Sequence, residues 1–188
     1  MTRLSSILCR SLIVLVSTSS GLVFAQQQPP DSVGKTCEAF VKDFYDWYLR
    51  TDRAVVPPHG VWPYEIIMKA KPPLLSSELL SGLRAVDAEA HKNQDPGLDF
   101  EPILNTQDAG DPGDPPYFVR DVKQEGNKCR ANVYSQYNGK TEKIVIPELR
   151  AENGRWIFTN FRYPNDPYPQ TNDLVSQIKT YLKTAKQP

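Results

Sequence analysis

The sequence predicts an α+β domain: a long amphipathic helix, a second helix, a four-strand antiparallel meander and a closing helix. Apolar residues recur every three to four positions in three segments, and between the second and third segments the period drops to two. Pairs of Asn and Gly, which tolerate the backbone angles of tight turns, separate the period-two runs. Helices followed by an antiparallel meander describe a curved sheet wrapped around a helix.

The first helix is read from SVGKTCEAFVKDFYDWYLR, where Cys37, Phe40, Val41, Phe44, Trp47 and Tyr48 form one wide apolar stripe. Ser32 is its expected N-cap, because a hydroxyl can accept from an otherwise orphaned backbone N–H. A second helix follows Ser76 or Ser77, carries Leu79, Leu83, Val86 and Ala90 on one face, and ends near Asn93 before Pro96 and Gly97. Residues 117–124, 128–137, 141–150 and 155–162 alternate as strands, with Gly126-Asn127, Asn138-Gly139 and Asn153-Gly154 between them. The last helix begins at Thr171 or Asn172 and shows Leu174, Val175, Ile178 and Leu182. Its Lys179, Lys183 and Lys186 suit the negative end of a helix dipole.

The N-terminus reads as a secretory signal. Arg3 and Arg10 precede the short apolar stretch SLIVLVSTSSGLVF, and Val23 and Ala25 place small residues before a cleavage point. Residues 1–25 are the expected signal peptide, 26–34 a flexible N-terminus and 35–186 one domain. The apolar stretch is shorter than the roughly 20 residues a spanning helix needs, so no stable membrane insertion is expected after cleavage. Loss of residues 1–25 leaves 20 basic against 22 acidic side chains, which excludes a strongly basic nucleic-acid binder. A periplasmic or secreted protein is the expectation. Cys37 and Cys129 are then the only cysteines, and an oxidising compartment invites a disulfide between them. Cys37 lies on the apolar stripe and Cys129 alternates with Ala131 and Val133, so both point to one core.

The runs FYDWYLR, LLSSELLSGL, LDFEPILNTQD and VYSQY, with KIVIPEL and NGRWIFTNFRYP ahead of a short helix, resemble a bacterial family of uncharacterised extracytoplasmic domains. That family is placed in the cystatin-like superfamily named for nuclear transport factor two. The resemblance covers most of residues 35–184. It implies a cone, in which a curved sheet surrounds the first helix and opens at one end. The wider superfamily contains isomerases, dehydratases and noncatalytic binding modules, so fold alone leaves the activity open.

Chemistry is sparse along the chain. A superfamily isomerase needs a carboxylate base facing an apolar cavity, and a dehydratase uses a His with Asp and Tyr partners. His59 sits in a proline-bound loop and His91 at a polar helix end, which reads as solvation. Asp99 and Glu101 flank Phe100 at a mixed edge where a carboxylate could be buried, although such residues more often cap turns. In LNTQDAGDPGDPPYFV, Asp108, Asp111 and Asp114 stand three apart, whereas a helix-loop-helix calcium loop wants ligands at every second residue. No metal and no cofactor is expected. No catalytic residue is assigned.

Residues 52–75 and 93–116 are two segments without periodicity, longer than the about 12–15 residues usual for a loop in a compact domain, yet rich in Trp62, Tyr64, Ile66, Ile67, Phe100, Ile103 and Leu104. They are expected to pack at the opening of the cone, with Asn105, Gln107, Asp108 and Asp99 as candidate ligand contacts. The expected function is a noncatalytic binding module for an unknown small molecule or protein, immunity-type inhibition included. The alternative is an acid/base enzyme using a carboxylate in the cone.

Two-residue turns at Asn138-Gly139 and Asn153-Gly154 pair Val133 with Ile144 and Ile146 with Phe161. This register sends Ala131, Val133, Ile144, Ile146, Ile157 and Phe161 inward. It leaves Asn132, Tyr134, Val145, Leu149, Trp156, Phe158 and Asn160 outside. So apolar an outer face predicts a homodimer or a partner docking site centred on Tyr134, Trp156 and Phe158, in keeping with the pairing that the resemblance implies.

Overall fold

A computed structural model describes residues 28–55, 61–106, 117–137, 139–165 and 172–185. The expected signal peptide, His59, Gln107, Asp108, Asp111 and Asp114 lie outside these residues. The elements are helix α1 (Cys37–Arg53), helix α2 (Pro63–Lys69), helix α3 (Ser77–Asn93), strands β1 (Tyr117–Glu125), β2 (Lys128–Tyr137), β3 (Lys140–Glu152) and β4 (Arg155–Arg162), and helix α4 (Leu174–Thr184). The strands form one antiparallel sheet in the order β1-β2-β3-β4.

Local chemistry accounts for the helix ends. Thr36, four residues after the expected Ser32, caps α1 by accepting from the Ala39 N–H. Ser32 is instead buried under β4, where its Oγ accepts from the Trp156 N–H at 3.1 Å. Ser76 caps α3 through the Leu79 N–H, and Gln94, in the left-handed region at φ 56°, ends it. Asp173 caps α4 by accepting from the Ser176 N–H. Helix α2 lies in a segment expected to be irregular. Pro63 opens it, where a missing N–H costs nothing, and Ile67 and Met68 are buried by it. Seven residues are too few to show a clear helical period.

The core lies between α1 and one face of the sheet. Phe40, Phe44 and Tyr48 of α1 and Val133, Val145, Phe158 and Phe161 of the sheet are fully buried. Burying each such side chain contributes about 1.5–3 kcal/mol. Phe158 stands 4.5 Å from Phe44 and 5.6 Å from Phe40 between ring centroids. Trp156 packs inside as well, its indole Nε1 donating to the Lys35 carbonyl at 3.1 Å. Trp156 and Phe158 are therefore core residues and present no outer face for a partner. Tyr134 alone of the three lies outside, stacked on Phe118 at 5.7 Å.

An extra residue in β3 causes the inversion, and a second in β4 returns Phe161 to the core. Both hairpins keep the expected closing pairs, Tyr137 opposite Lys140 and Glu152 opposite Arg155. Beyond the turns, Ile144 in β3 and Thr159 in β4 are extra residues, so Val133 faces Val145 and Ile146 faces Arg162. A one-residue bulge exchanges the two faces of a strand. Val145, Pro147 and Leu149 thus replace Ile144 and Ile146 on the inner side. In β4, Trp156 and Phe158 before the bulge and Phe161 beyond it all reach the core. A third bulge falls in β1, where Asp121 takes the left-handed conformation at φ 51°. Bulges of this kind bend and twist a sheet around what it covers.

Cys37 and Cys129 join α1 to β2 at disulfide distance, their Cα atoms 6.5 Å apart. Among the described residues no helix is long and apolar enough to cross a membrane.

Candidate functional site

The segment between α3 and β1 is anchored as it crosses the end of α1. Residues 101–106 form a tight turn closed by the Glu101 N–H to the Thr106 carbonyl at 2.7 Å and by the Asn105 N–H to the Glu101 carbonyl at 2.9 Å. Ile103 and Leu104 drive it inward and are fully buried. Tyr45 donates to the Ile103 carbonyl, Tyr163 donates to the Pro102 carbonyl, and the Asn105 amide donates to the Ile144 carbonyl at 3.2 Å. Helix α1, strand β3 and the residue after β4 therefore hold this turn in place.

Glu101 is the electrostatic centre of the turn. Its Oε1 accepts from the Tyr48 hydroxyl at 2.5 Å and the Ile103 N–H at 3.1 Å, and its Oε2 accepts from the Leu104 N–H at 2.6 Å. Burial raises its pKa, the three donors oppose that rise, and the nearby Asp52 charge adds to it. The carboxyl ends at about 7 rather than 4.5. Burial, with Glu101 facing it, raises the Tyr48 phenol well above its ordinary value.

Beside this carboxylate a cavity of about 320 Å³ opens. Helix α1 supplies Tyr48 and Asp52, α2 and its leading residue supply Trp62, Pro63, Tyr64 and Glu65, and α3 supplies Val86 and Asp87. The chain beyond α3 adds Pro96, Leu98, Phe100, Glu101 and Pro102. Tyr48 and Asp52 are one helical turn apart on α1, so both project the same way. They form the buried floor with Val86, while Trp62, Glu65 and Asp87 are exposed at the mouth. Burial pushes the Asp87 carboxyl up, and burial together with Asp87 and Glu101 pushes the Tyr64 phenol up. Among the described residues, no strand lines this cavity. It sits among the helices at the end of α1, and the helix-facing side of the sheet is filled by aromatic rings.

The candidate contacts read from the sequence omit Tyr48, Asp52, Tyr64 and Asp87, which line the cavity from α1, α2 and α3. The one available hint is Asp52, a charge four residues after Tyr48 on an otherwise apolar helix face. Of the candidate contacts, Asp99 is exposed between the lining residues Leu98 and Phe100 and is not part of the wall. Asn105 holds β3 and stands outside the wall too. The structure does not bring these two together with the cavity. Glu101, flanking Phe100, is the carboxylate of that edge that is enclosed.

Among the described residues, no group of three or more His, Cys, Asp or Glu is placed to hold a metal ion. The described wall also contains no Ser, Thr, Cys, Lys, Arg or His. What remains is an aromatic and aliphatic chamber with carboxylates at its floor and lip. Such a chamber can enclose a small molecule and fix its polar end, as ligand cavities of a few hundred Å³ commonly do. No family model matches the chain, and neither curated proteins nor solved structures include a match to it.

Proposed function

We propose that the protein is an extracytoplasmic, noncatalytic binding module of the nuclear transport factor two-like kind, its ligand held in the cavity beside Glu101. The helix packed on a bulged, curved meander supports the resemblance, with the sheet as the wall of a cone. The paired cysteines and the N-terminal signal pattern support a periplasmic or secreted location.

One observation carries the noncatalytic reading. Glu101, an enclosed carboxylate with its pKa raised to about 7, has both oxygens occupied by donors, the Tyr48 hydroxyl and the Ile103 and Leu104 N–H groups. A general base must instead reach the proton it removes. Tyr48 donates its hydroxyl to that same carboxylate and is therefore committed to it rather than to a developing oxyanion. An acid/base enzyme is the second reading, favoured by a carboxyl titrating near neutrality at a cavity wall.

Thermal melts of the purified protein against a chemically varied panel of small molecules test the binding reading. Compounds should raise the midpoint of the wild type and lose that effect in a folded Leu98→Trp variant, whose larger side chain fills the cavity. Hits that ignore Leu98→Trp would place binding elsewhere. Turnover of a bound compound, abolished by Glu101→Gln, would establish the enzyme instead.

A further inference from the structure

Among the described cavities, the one beside Glu101 has a distinctive charge. Its described wall carries four carboxylates, Asp52 and Glu101 at the floor and Glu65 and Asp87 at the lip, and no cationic side chain. The chain as a whole is balanced at 22 basic and 22 acidic residues. Two other described depressions of similar size are not acidic in this way. One is lined by Lys69, Lys71 and Arg155 against Asp31 alone. The other sets Lys123, Lys128, Arg130 and Arg150 against Glu125 and Glu148. The one-sided charge is therefore local to this chamber.

Its remaining surface is aromatic. Tyr48, Trp62, Tyr64 and Phe100 face the same space, and the negative faces of such rings attract cations within about 6 Å of the ring centre. A bare metal ion does not suit the chamber, because the described carboxylates are not gathered into a coordinating group. A positive charge on a carbon skeleton does, with the skeleton against Val86, Leu98 and Phe100. Resting on the binding role proposed above, we infer that the cavity recognises an organic ammonium ion, a primary or methylated amine carried on a short aliphatic chain. The amine could be free or terminate a lysine side chain of another protein, since both present the same group.

Calorimetric titration with four probes tests this inference: n-butylammonium, n-butanol, butyrate and a blocked lysine peptide. At least one of the two amines should bind saturably, about tenfold or more tighter than n-butanol or butyrate. Binding confined to the peptide assigns a protein's lysine, and binding of n-butylammonium assigns a free amine. Asp87→Asn, at the exposed lip, should weaken the amine about tenfold, whereas Glu142→Gln on the sheet should leave it unchanged. Thermal melts of each variant confirm that it is folded. Preference for n-butanol or butyrate, lost in Leu98→Trp, would overturn the charge assignment and leave the cavity as a binding site. Absence of binding by every probe at tens of millimolar would overturn the ammonium assignment, and the binding role would then stand or fall on the melts above. Amine binding unaltered by Asp87→Asn and by Leu98→Trp overturns the inference outright.

Discussion

Glu101 shows how one residue can serve structure at a cost that depends on pH. Its carboxyl has an ordinary pKa of 4.5, raised to about 7 in the fold, so the native state holds the proton more tightly than the unfolded chain. Native stability linked to this group is complete below pH 4.5 and is lost as pH rises through 7. At about 1.4 kcal/mol per unit the loss is at most about 3 kcal/mol, less where water reaches the residue. Urea unfolding of wild type and Glu101→Gln at several pH values should show the stability difference shifting toward the Gln variant across that window. Parallel curves would contradict it. Phe158 is the second decisive residue. It is fully buried between Phe40, Phe44 and Phe161, so Phe158→Ala should cost about 3–5 kcal/mol by the same measurement. A loss below about 1 kcal/mol would return it to the surface.

At the scale of elements, Ile144 and Thr159 decide which faces of β3 and β4 are inside. Deleting Thr159 alone would remove the bulge and keep Phe161 opposite Pro147. Deleting Thr159 together with Asn160 would set Phe161 opposite Glu148 and turn Phe161 and Tyr163 outward, although both are fully buried in the fold. The two-residue deletion variant should lose cooperative unfolding in circular dichroism melts. A wild-type melt would show that this register is dispensable. The helices α1, α3 and α4 and all four strands are legible from period and turn chemistry, because Asn-Gly pairs and hydroxyl or carboxylate caps answer backbone needs within a few residues. The bulges are not legible. Ile and Thr are ordinary strand residues, and an extra one changes the register without changing composition. That is why Trp156 and Phe158, placed correctly on β4, were assigned to the wrong side of it. Helix α2 escaped notice for a related reason, since its seven residues sit among prolines and bury only one side of a short turn.

For the molecule as a whole, the link between Cys37 and Cys129 closes a loop with a sequence separation of 92, and ties α1 to the sheet it packs on. By chain entropy such a link contributes about 4.6 kcal/mol. Reduction with alkylation, or Cys37→Ser with Cys129→Ser, should lower the urea midpoint accordingly, and an unchanged midpoint would mean the two thiols are not bonded in the purified protein. The cavity was the least legible feature because four separate stretches of chain build it: the end of α1, the start of α2, the last turns of α3 and residues 96–102. Each looks ordinary alone, and only the fold brings Tyr48 and Asp52 together with Trp62, Asp87 and Glu101. The most direct measurement is a two-dimensional amide and indole NMR titration of the protein with n-butylammonium and with the blocked lysine peptide. With the amine that binds, saturable shifts should gather at Tyr48, Asp52, Val86, Leu98, Phe100 and the Trp62 indole. Saturable shifts gathered instead on the outer sheet around Lys123, Arg130 and Arg150, with the cavity residues still, would contradict the proposed site.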